Sequence, residues 1–439
     1  MKNRKLVLSL LLTPLGRRRM AWGLLFRLSP LLWPLARVYR AIFLRNTRIV
    51  AVTGSFGKTT ATRAVMAALD LPYERHTVWN AGGLLAIELM RIPPRARFGA
   101  LEVGINTVGT MSRYARFIRP DITIVTSIGS EHNSTFGALE VTRREKARLV
   151  EALPSSGLAV LNGDDPNVLW MERRTTSRVI SYGFDERNTI RARDVSVERN
   201  GRTRFRVSVS GEEYAADSPL LGRHMVYPVL SALAVAHECG VSAKVALERL
   251  SRLAPAPERL ELLSTPHGAL VILDSRKGGL ETIHAGLDVL GSMPGRRKIV
   301  VLGDIEEPPS SQGPLYKEIG AALAGAVAFA IFVGGRKAHG SLESGARGAG
   351  IDRERVLYAG KDVRRATDLL RDRLAEGDVV WIKGRSTQHL GRIGLALSGR
   401  SVTCDIVFCP PTPACATCPM LERVPLAERL RGDAPKTDP

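Results

Sequence analysis

Aromatic residues make up only 5% of this 439-residue chain, and it has five cysteines in all. So few cysteines exclude a disulfide framework. So few aromatics leave Leu, Val, Ile and Ala to build the core, the composition of buried parallel strands. No N-terminal window supplies the about 20 uninterrupted apolar residues that a membrane-spanning helix requires; Arg27, Arg37 and Arg40, with Pro30 and Pro34, break each one. Nor does any stretch interleave basic and aromatic side chains, as a nucleic-acid stacking platform would. The formal charge of +20 is spread along the chain. It points to an anionic small substrate or an acidic membrane surface rather than to nucleic acid.

What is present is a globular balance, 44% hydrophobic and 24% charged, over a length that implies two or three domains. Residues 1–46 stand apart. An apolar stretch, Leu6–Leu15, is followed by Arg17-Arg18-Arg19 and then by leucines among Trp22, Phe26, Trp33 and Phe43. The basic start resembles a secretory signal, but no small-residue cleavage site follows. Two readings stand. One is an interfacial segment with Trp and Arg at headgroup level, which would place the protein in the cytoplasm, peripheral to the inner face of the cell membrane. The other is a helical hairpin packed on the protein itself.

From Thr47 the pattern becomes strand, loop, helix. Aliphatic runs predict strands at Arg48–Thr53, Phe98–Val103, Ile122–Ile128 and Leu158–Leu161, with helices at Thr59–Ala68 and Leu139–Leu153 between them. Residues 178–220 read as short antiparallel strands turning at Asn200-Gly201. After Ala254-Pro255-Ala256-Pro257 a second alternation begins, with strands at Ala269–Leu273, Lys298–Leu302, Ala328–Val333, Arg355–Tyr358 and Val379–Ile382. The expected fold is therefore α/β. A central domain (47–256) would carry a mostly parallel sheet with a small antiparallel extension. A Rossmann-like C-terminal domain (257–400) and a Cys/Pro-rich tail (401–439) would follow.

Thr53-Gly54-Ser55-Phe56-Gly57-Lys58-Thr59-Thr60 follows a strand and opens a helix. Backbone N–H groups in such a loop wrap phosphate oxygens, aided by the helix N-terminus. Lys58 would reach the β- and γ-phosphates and the Thr59 hydroxyl would hold Mg²⁺. The longer phosphate-loop pattern asks for a glycine where Val52 stands. A plain tight turn is the bland alternative.

This short loop resembles that of the Mur ligases, closest to the branch that adds the terminal dipeptide in cell-wall synthesis. Leu101-Glu102-Val103-Gly104-Ile105-Asn106 with Gly109 is similar to a segment whose glutamate binds Mg²⁺ in the family. His132, Phe136, Gly137 and Lys146 match another, in which the histidine serves a second Mg²⁺ and the lysine is often carbamylated. Asn162, in Asn162-Gly163-Asp164-Asp165-Pro166, would orient the metal or substrate side. Arg259 and Asp274 match the residues that contact ATP phosphate and ribose. Gly303-Asp304-Ile305-Glu306-Glu307 and Lys383-Gly384-Arg385-Ser386 complete the series.

The resemblance implies an ATP- and Mg²⁺-dependent, ADP-forming ligase, with ATP between its two domains. It would join a small-molecule or carrier-linked carboxylate to an amine, an amino acid or peptide, through an acyl-phosphate. Catalysis would fall to Lys58, His132 and Lys146. Nucleotide binding would fall to Gly54, Ser55, Gly57, Lys58, Thr59, Thr60, Asn162, Arg259 and Asp274, and Mg²⁺ to Thr59, Glu102, His132 and Lys146.

Three departures stand out, the first bearing on adenine recognition and the other two on substrate. Met225 and Pro228 replace family asparagines, Ser275-Arg276-Lys277 replaces an acceptor-side motif, and the apolar segment stands where the family has a uridine-binding domain. A folate- or poly-amino-acid-type ligase and a non-catalytic nucleotide-binding membrane switch are the alternatives. Cys404, Cys409, Cys415 and Cys418 form a candidate zinc site, although only Cys415/Cys418 has the spacing of a zinc knuckle. Unliganded thiols are the other reading there, and Cys239 reads as a small core residue.

Overall fold

The computed structural model describes residues 14–75, 80–105, 107–129, 138–306, 311–407, 409 and 414–422. Asn106, His132, Phe136, Gly137 and Glu307 lie outside the described residues. The chain forms two compact units, one of residues 1–198 and 202–254, the other of 199–201 and 255–439.

The first unit opens with two helices, α1 (Pro14–Arg27) and α2 (Ser29–Phe43). An eight-stranded sheet follows: β1 (Arg48–Thr53), β2 (Phe98–Glu102), β3 (Ile122–Val125), β4 (Leu158–Asn162), β5 (Arg178–Gly183), β6 (Ile190–Val197), β7 (Thr203–Val209) and β8 (Glu212–Ser218). Their spatial order is β2-β1-β3-β4-β5-β6-β7-β8. Strands β1 to β6 pair parallel, and β6–β7 and β7–β8 pair antiparallel, with Asn200-Gly201 in the β6–β7 turn. Both faces of the parallel part are covered, so β1, β3 and β4 read as unbroken aliphatic runs rather than alternating ones.

Among the hydrophobic clusters that flank this sheet, two involve β1. One packs helices α3 (Lys58–Ala68) and Val226–Glu238 against Val50, Val52, Ile122 and Val160. The other packs α2, α4 (Gly82–Met90) and α5 (Thr110–Ile118) against Ile49 and Ala51. Alternate residues of β1 thus serve opposite layers, as the period-2 geometry of a strand dictates.

Because β1 leads to β2 on one side and β3 leads to β4 on the other, the connections leaving the C-terminal ends of β1 and β3 diverge and open a crevice, the usual place for a ligand in such sheets. The predicted strands Phe98–Val103 and Ile122–Ile128 end early, at Glu102 and Val125. The residues after them leave the ladder to build the loops of that crevice.

The second unit holds a six-stranded sheet: β9 (Glu261–Ser264), β10 (Leu270–Asp274), β11 (Lys298–Gly303), β12 (Phe329–Val333), β13 (Val356–Tyr358) and β14 (Val379–Lys383). The order is β13-β12-β11-β14-β10-β9, and only β9 runs antiparallel to its neighbour. Its core is Val271, Leu273, Ile299, Val301, Ile331, Val380 and Ile382, as the aliphatic runs predict.

Candidate active site

In the first unit the loop between β1 and α3 is tied down on one side by the loop after β3. Ser55 N donates to Ser127 O at 2.7 Å, Phe56 N to Ser127 Oγ at 3.0 Å, and Gly129 N to Ser55 Oγ at 2.9 Å. Thr126 Oγ1 donates to Thr53 O and Phe56 O. Gly54 sits at φ +144°, where a Cβ would lie 2.0 Å from Thr126 Oγ1, so only glycine fits. Gly57 adopts the left-handed conformation at the N-cap of α3, whose first turn has no side-chain cap. The first N–H groups of α3 are thereby presented to an anion.

Two buried lysines converge on this loop. Lys58, 8% exposed, donates from Nζ to Gly54 O at 2.7 Å and Ser55 O at 2.9 Å. Lys146, 1% exposed, lies on helix α6 (Leu139–Glu151) and donates to the same Gly54 oxygen at 2.6 Å. Thr59 and Thr60 are buried beside them in the first turn of α3. Glu102 ends β2 opposite Val52 of β1 and accepts from Asn80 Nδ2 at 2.7 Å. The structure therefore gathers Gly54, Ser55, Gly57, Lys58, Thr59 and Lys146 around one loop, with Glu102 on the strand beside it.

Asn162 has a structural bond here. Its Nδ2 donates to Thr126 O at 2.9 Å, fixing the loop after β3 that in turn fixes the loop between β1 and α3. The two aspartates after it act similarly. Asp165 accepts from Ile128 N at 2.8 Å, and Asp164 accepts from Phe184 N, Asp185 N, Asn188 Nδ2 and the Tyr227 hydroxyl. Burial and the Asp164 carboxylate push the Tyr227 phenol well above its ordinary value, so it remains a donor.

The second unit brings its matching residues to the C-terminal ends of β10, β11 and β14. Asp274 and Lys383 face each other across the β10–β14 register, and Lys383 Nζ donates to Asp274 Oδ2 at 2.6 Å. Burial pushes the Asp274 carboxyl up and the Lys383 ammonium down, while their mutual attraction opposes both shifts. Arg259 is close enough to favour the Asp274 carboxylate. It lies between Glu258 (φ 57°) and Leu260 (φ 51°), two left-handed non-glycine residues that make this segment strained. Glu306 accepts from Ser386 Oγ at 2.9 Å, and Glu306 N donates to Gly278 O at 2.9 Å, locking together the loops after β10, β11 and β14.

Residues 52–236 match the Mur ligase middle domain and residues 258–386 match the Mur ligase glutamate ligase domain. A UDP-N-acetylmuramoyl-tripeptide–D-alanyl-D-alanine ligase of Mycobacterium bovis is 32% identical over 374 residues, covering 80% of this chain and 72% of that protein. The chain belongs to the Mur ligase family. As a Mur ligase it is an ATP-dependent, ADP-forming amide ligase of peptidoglycan biosynthesis. The Bacillus subtilis ligase of the same name is 26% identical over 352 residues, covering 79% of this chain and 75% of that protein. Solved structures share the fold. MurF from Acinetobacter baumannii matches with a TM-score of 0.74 at 20% identity, over 85% of this chain and 81% of that one. MurF from Thermotoga maritima in complex with ADP matches at 0.70 and 20% identity, over 81% and 80%.

Several site features of this Mur ligase were not foreseen from sequence. Asn80, which holds Glu102, is a lone polar residue before a glycine pair, and its only sequence signal is Gly82, at φ +61°, opening α4. Glu258 is 2% exposed and accepts from Ser275 Oγ at 2.8 Å and Cys415 N at 3.0 Å. A cavity of about 160 Å³ lies at the C-terminal ends of β11, β12 and β14, with Asp304, Lys361, Arg385, Thr387 and Gln388 in its lining.

Two departures take a structural meaning. Met225 packs against the core of the first unit, and Pro228 is buried in the first turn of helix Val226–Glu238. The zinc expected at the C-terminal cysteines is not supported. Among the described residues no three His, Cys, Asp or Glu side chains group to hold a metal. Cys415 instead packs with Leu395 and Leu421, its Sγ 3.4 Å from His389 Nδ1, and burial pushes its thiol up. Cys239, as expected, is a buried core residue.

Proposed function

We infer that this Mur ligase uses Mg²⁺-bound ATP to activate the carboxylate of a muramyl-peptide-type donor, carried on a nucleotide or another carrier, and joins it to an amino acid or dipeptide. The observation that carries this reading is the convergence of Lys58 and Lys146 on the Gly54 carbonyl, beside an uncapped helix N-terminus. Hard oxygen donors stand ready for Mg²⁺: the Thr59 hydroxyl and the Glu102 carboxylate, both buried on adjacent elements. His132 is assigned to a second cation by family resemblance. A bound Mg²⁺ would neutralise charge growing on the phosphate oxygens.

The chain's own residues do the rest. Lys58 exchanges the Gly54 and Ser55 carbonyls for the β- and γ-phosphate oxygens and holds its proton there throughout. A donor carboxylate oxygen attacks the γ-phosphorus and ADP departs, leaving an acyl-phosphate. The acceptor nitrogen then attacks the acyl carbon, loses a proton and expels phosphate. Arg259 and Asp274 belong to the nucleotide on this reading, phosphate and ribose respectively. The cavity of the second unit suits a small zwitterionic amine substrate, with Arg385 and Lys361 for its carboxylate and Asp304 for its ammonium. Lys146 carries a carbamate in the working enzyme. Protein and substrate meet at the inner face of the cell membrane, where the N-terminal hairpin holds the enzyme.

The test is ADP release with donor and amine varied independently. Release that requires both, in the presence of Mg²⁺, is the expected result; ATP consumption indifferent to every amine offered would refute the ligation reading for this chain. Lys146→Ala should lose turnover and regain part of it with a short-chain carboxylate in the buffer. Labelled bicarbonate should give the wild type a carbamate carbon resonance that this variant lacks. Full activity of Lys146→Ala would remove the carbamate from the mechanism.

A further inference from the structure

We propose that one face of the N-terminal hairpin is a docking surface for an anionic lipid bilayer, with α2 lying in the membrane plane. This rests on the membrane reading above and names the face and the lipid chemistry. The opposite face of α2 is fixed to the protein. Trp33 Nε1 donates to Gly82 O at 3.2 Å, and the Tyr39 hydroxyl donates to Ile92 O at 2.8 Å. Arg40 donates to Ile118 O, Arg119 O and Asp121 Oδ2 at 3.1, 3.2 and 2.9 Å. Ala36 is fully buried.

With that side held, Leu31, Leu35, Val38 and Ile42 are turned outward at spacings of four, three and four residues, a continuous helical stripe. They are 71%, 55%, 52% and 59% exposed. Phe43 extends the stripe, and α1 adds Met20, Leu24 and Phe26. Eight of the twelve exposed large apolar side chains among the described residues fall on this hairpin. A patch so concentrated marks an interaction site rather than ordinary surface scatter.

The charge around it selects the occupant. No acidic residue occurs before Asp70, while Arg27, Arg37 and Arg45 are exposed on or just after the two helices. Arg95, also exposed, is brought beside the end of α2 by its backbone N–H, which donates to Phe43 O at 3.1 Å. An apolar stripe with exposed arginines along it matches acyl chains beneath anionic headgroups. A second copy of the chain would set like charge against like charge. Among the described residues no helix is long and apolar enough to cross a membrane. The fifteen residues of α2, with Pro34 inside it, would extend about 22 Å and suit a position in the interface.

The experiment is co-sedimentation of the full chain with vesicles of phosphatidylcholine alone and of phosphatidylcholine with phosphatidylglycerol. It is run beside Leu31→Glu/Leu35→Glu, with circular dichroism and a thermal melt confirming that the variant is folded. The expected result is binding to the anionic vesicles only, weakened by salt through screening, and at least about tenfold weaker in the variant. A wild type that binds neither vesicle overturns the membrane reading itself. Equal binding by wild type and variant leaves that reading standing and overturns the assigned face. Self-association of the wild type, abolished in the variant, without vesicle binding, gives the face to a second copy and overturns the lipid assignment. None of these outcomes bears on whether amide bonds are formed.

Discussion

Two lysines, one in each unit, are almost fully buried, and they are held differently. Lys383 ends a central strand and is paired with a carboxylate, Asp274, on the neighbouring strand. Lys146 comes from a helix and donates to a backbone carbonyl of the phosphate loop, an acceptor it shares with Lys58. A buried ion pair with good geometry is a fixed element, costly to break from either side. An ammonium resting on a peptide oxygen that glycine conformation alone has exposed can leave when a better partner arrives. The second unit thus stores its charge as a finished pair. The first keeps two ammonium groups on one peptide oxygen, Lys58 within reach of an incoming phosphate and Lys146 able to exchange that bond for the carbamate proposed for it.

That contrast predicts its largest effect at Lys383. Lys383→Ala strands the Asp274 carboxylate in a buried position and should destabilise the second unit by about 3–5 kcal/mol. The paired apolar replacement Asp274→Leu/Lys383→Met should recover most of that stability without restoring activity, as denaturant melts and ADP release together would show. If Lys383→Ala melts like the wild type, the pair is solvated in solution and the contrast between the units fails.

Lys58→Ala tests the other side. Removing the loop's own cation should lower turnover by about 10²–10³ or more, the usual cost of one fixed electrostatic contact to a reacting group. Its melting midpoint should move less than that of Lys383→Ala, because the bonds lost go to neutral carbonyls and no charged partner is left buried. A variant with near-normal turnover but a large drop in stability would reverse the roles assigned to the two lysines.

The parts of this arrangement differ in how far the sequence announced them. Strand runs such as Arg48–Thr53 and Val379–Ile382 were legible because strands buried on both faces are aliphatic throughout. The strand-to-helix loop from Gly54 to Lys58 was legible because its two glycines act through local geometry. What stayed hidden is long-range: that Lys146, 92 residues downstream, reaches Gly54 O, or that Asp165 holds the loop at Ile128. Such bonds depend on register between elements, which periodicity does not fix. The cysteine cluster found no support: among the described residues no three His, Cys, Asp or Glu side chains group to hold a metal, and Cys415 packs against Leu395 and Leu421. Asp274 was expected on ribose alone; its pairing with Lys383 follows from the parallel β10–β14 register, which no local pattern carries.

The smallest effect is expected at Asn80, and it sharpens the comparison most. If the first unit works by holding groups ready rather than by finished pairs, its carboxylate also needs a positioning partner that is neutral. Asn80 is that partner: its side chain donates to Glu102 Oε1 at 2.7 Å, and its carbonyl accepts from Gly104 N at 2.8 Å. Asn80→Ala removes the side-chain bond and keeps the backbone one, so β2 and its loop should stay in place. Partners behind a metal ligand typically contribute about 10–100-fold in metal affinity. The Mg²⁺ concentration for half-maximal ADP release should therefore rise by about that factor, while the rate at saturating Mg²⁺ changes little. Asn80→Asp separates positioning from charge: it places a second carboxylate against Glu102, and should raise the proton affinity of the pair and make Mg²⁺ activation more strongly pH-dependent. A fall in saturated rate with an unchanged Mg²⁺ requirement would place Asn80 in substrate binding instead and remove it as the positioning partner of a Mg²⁺ ligand.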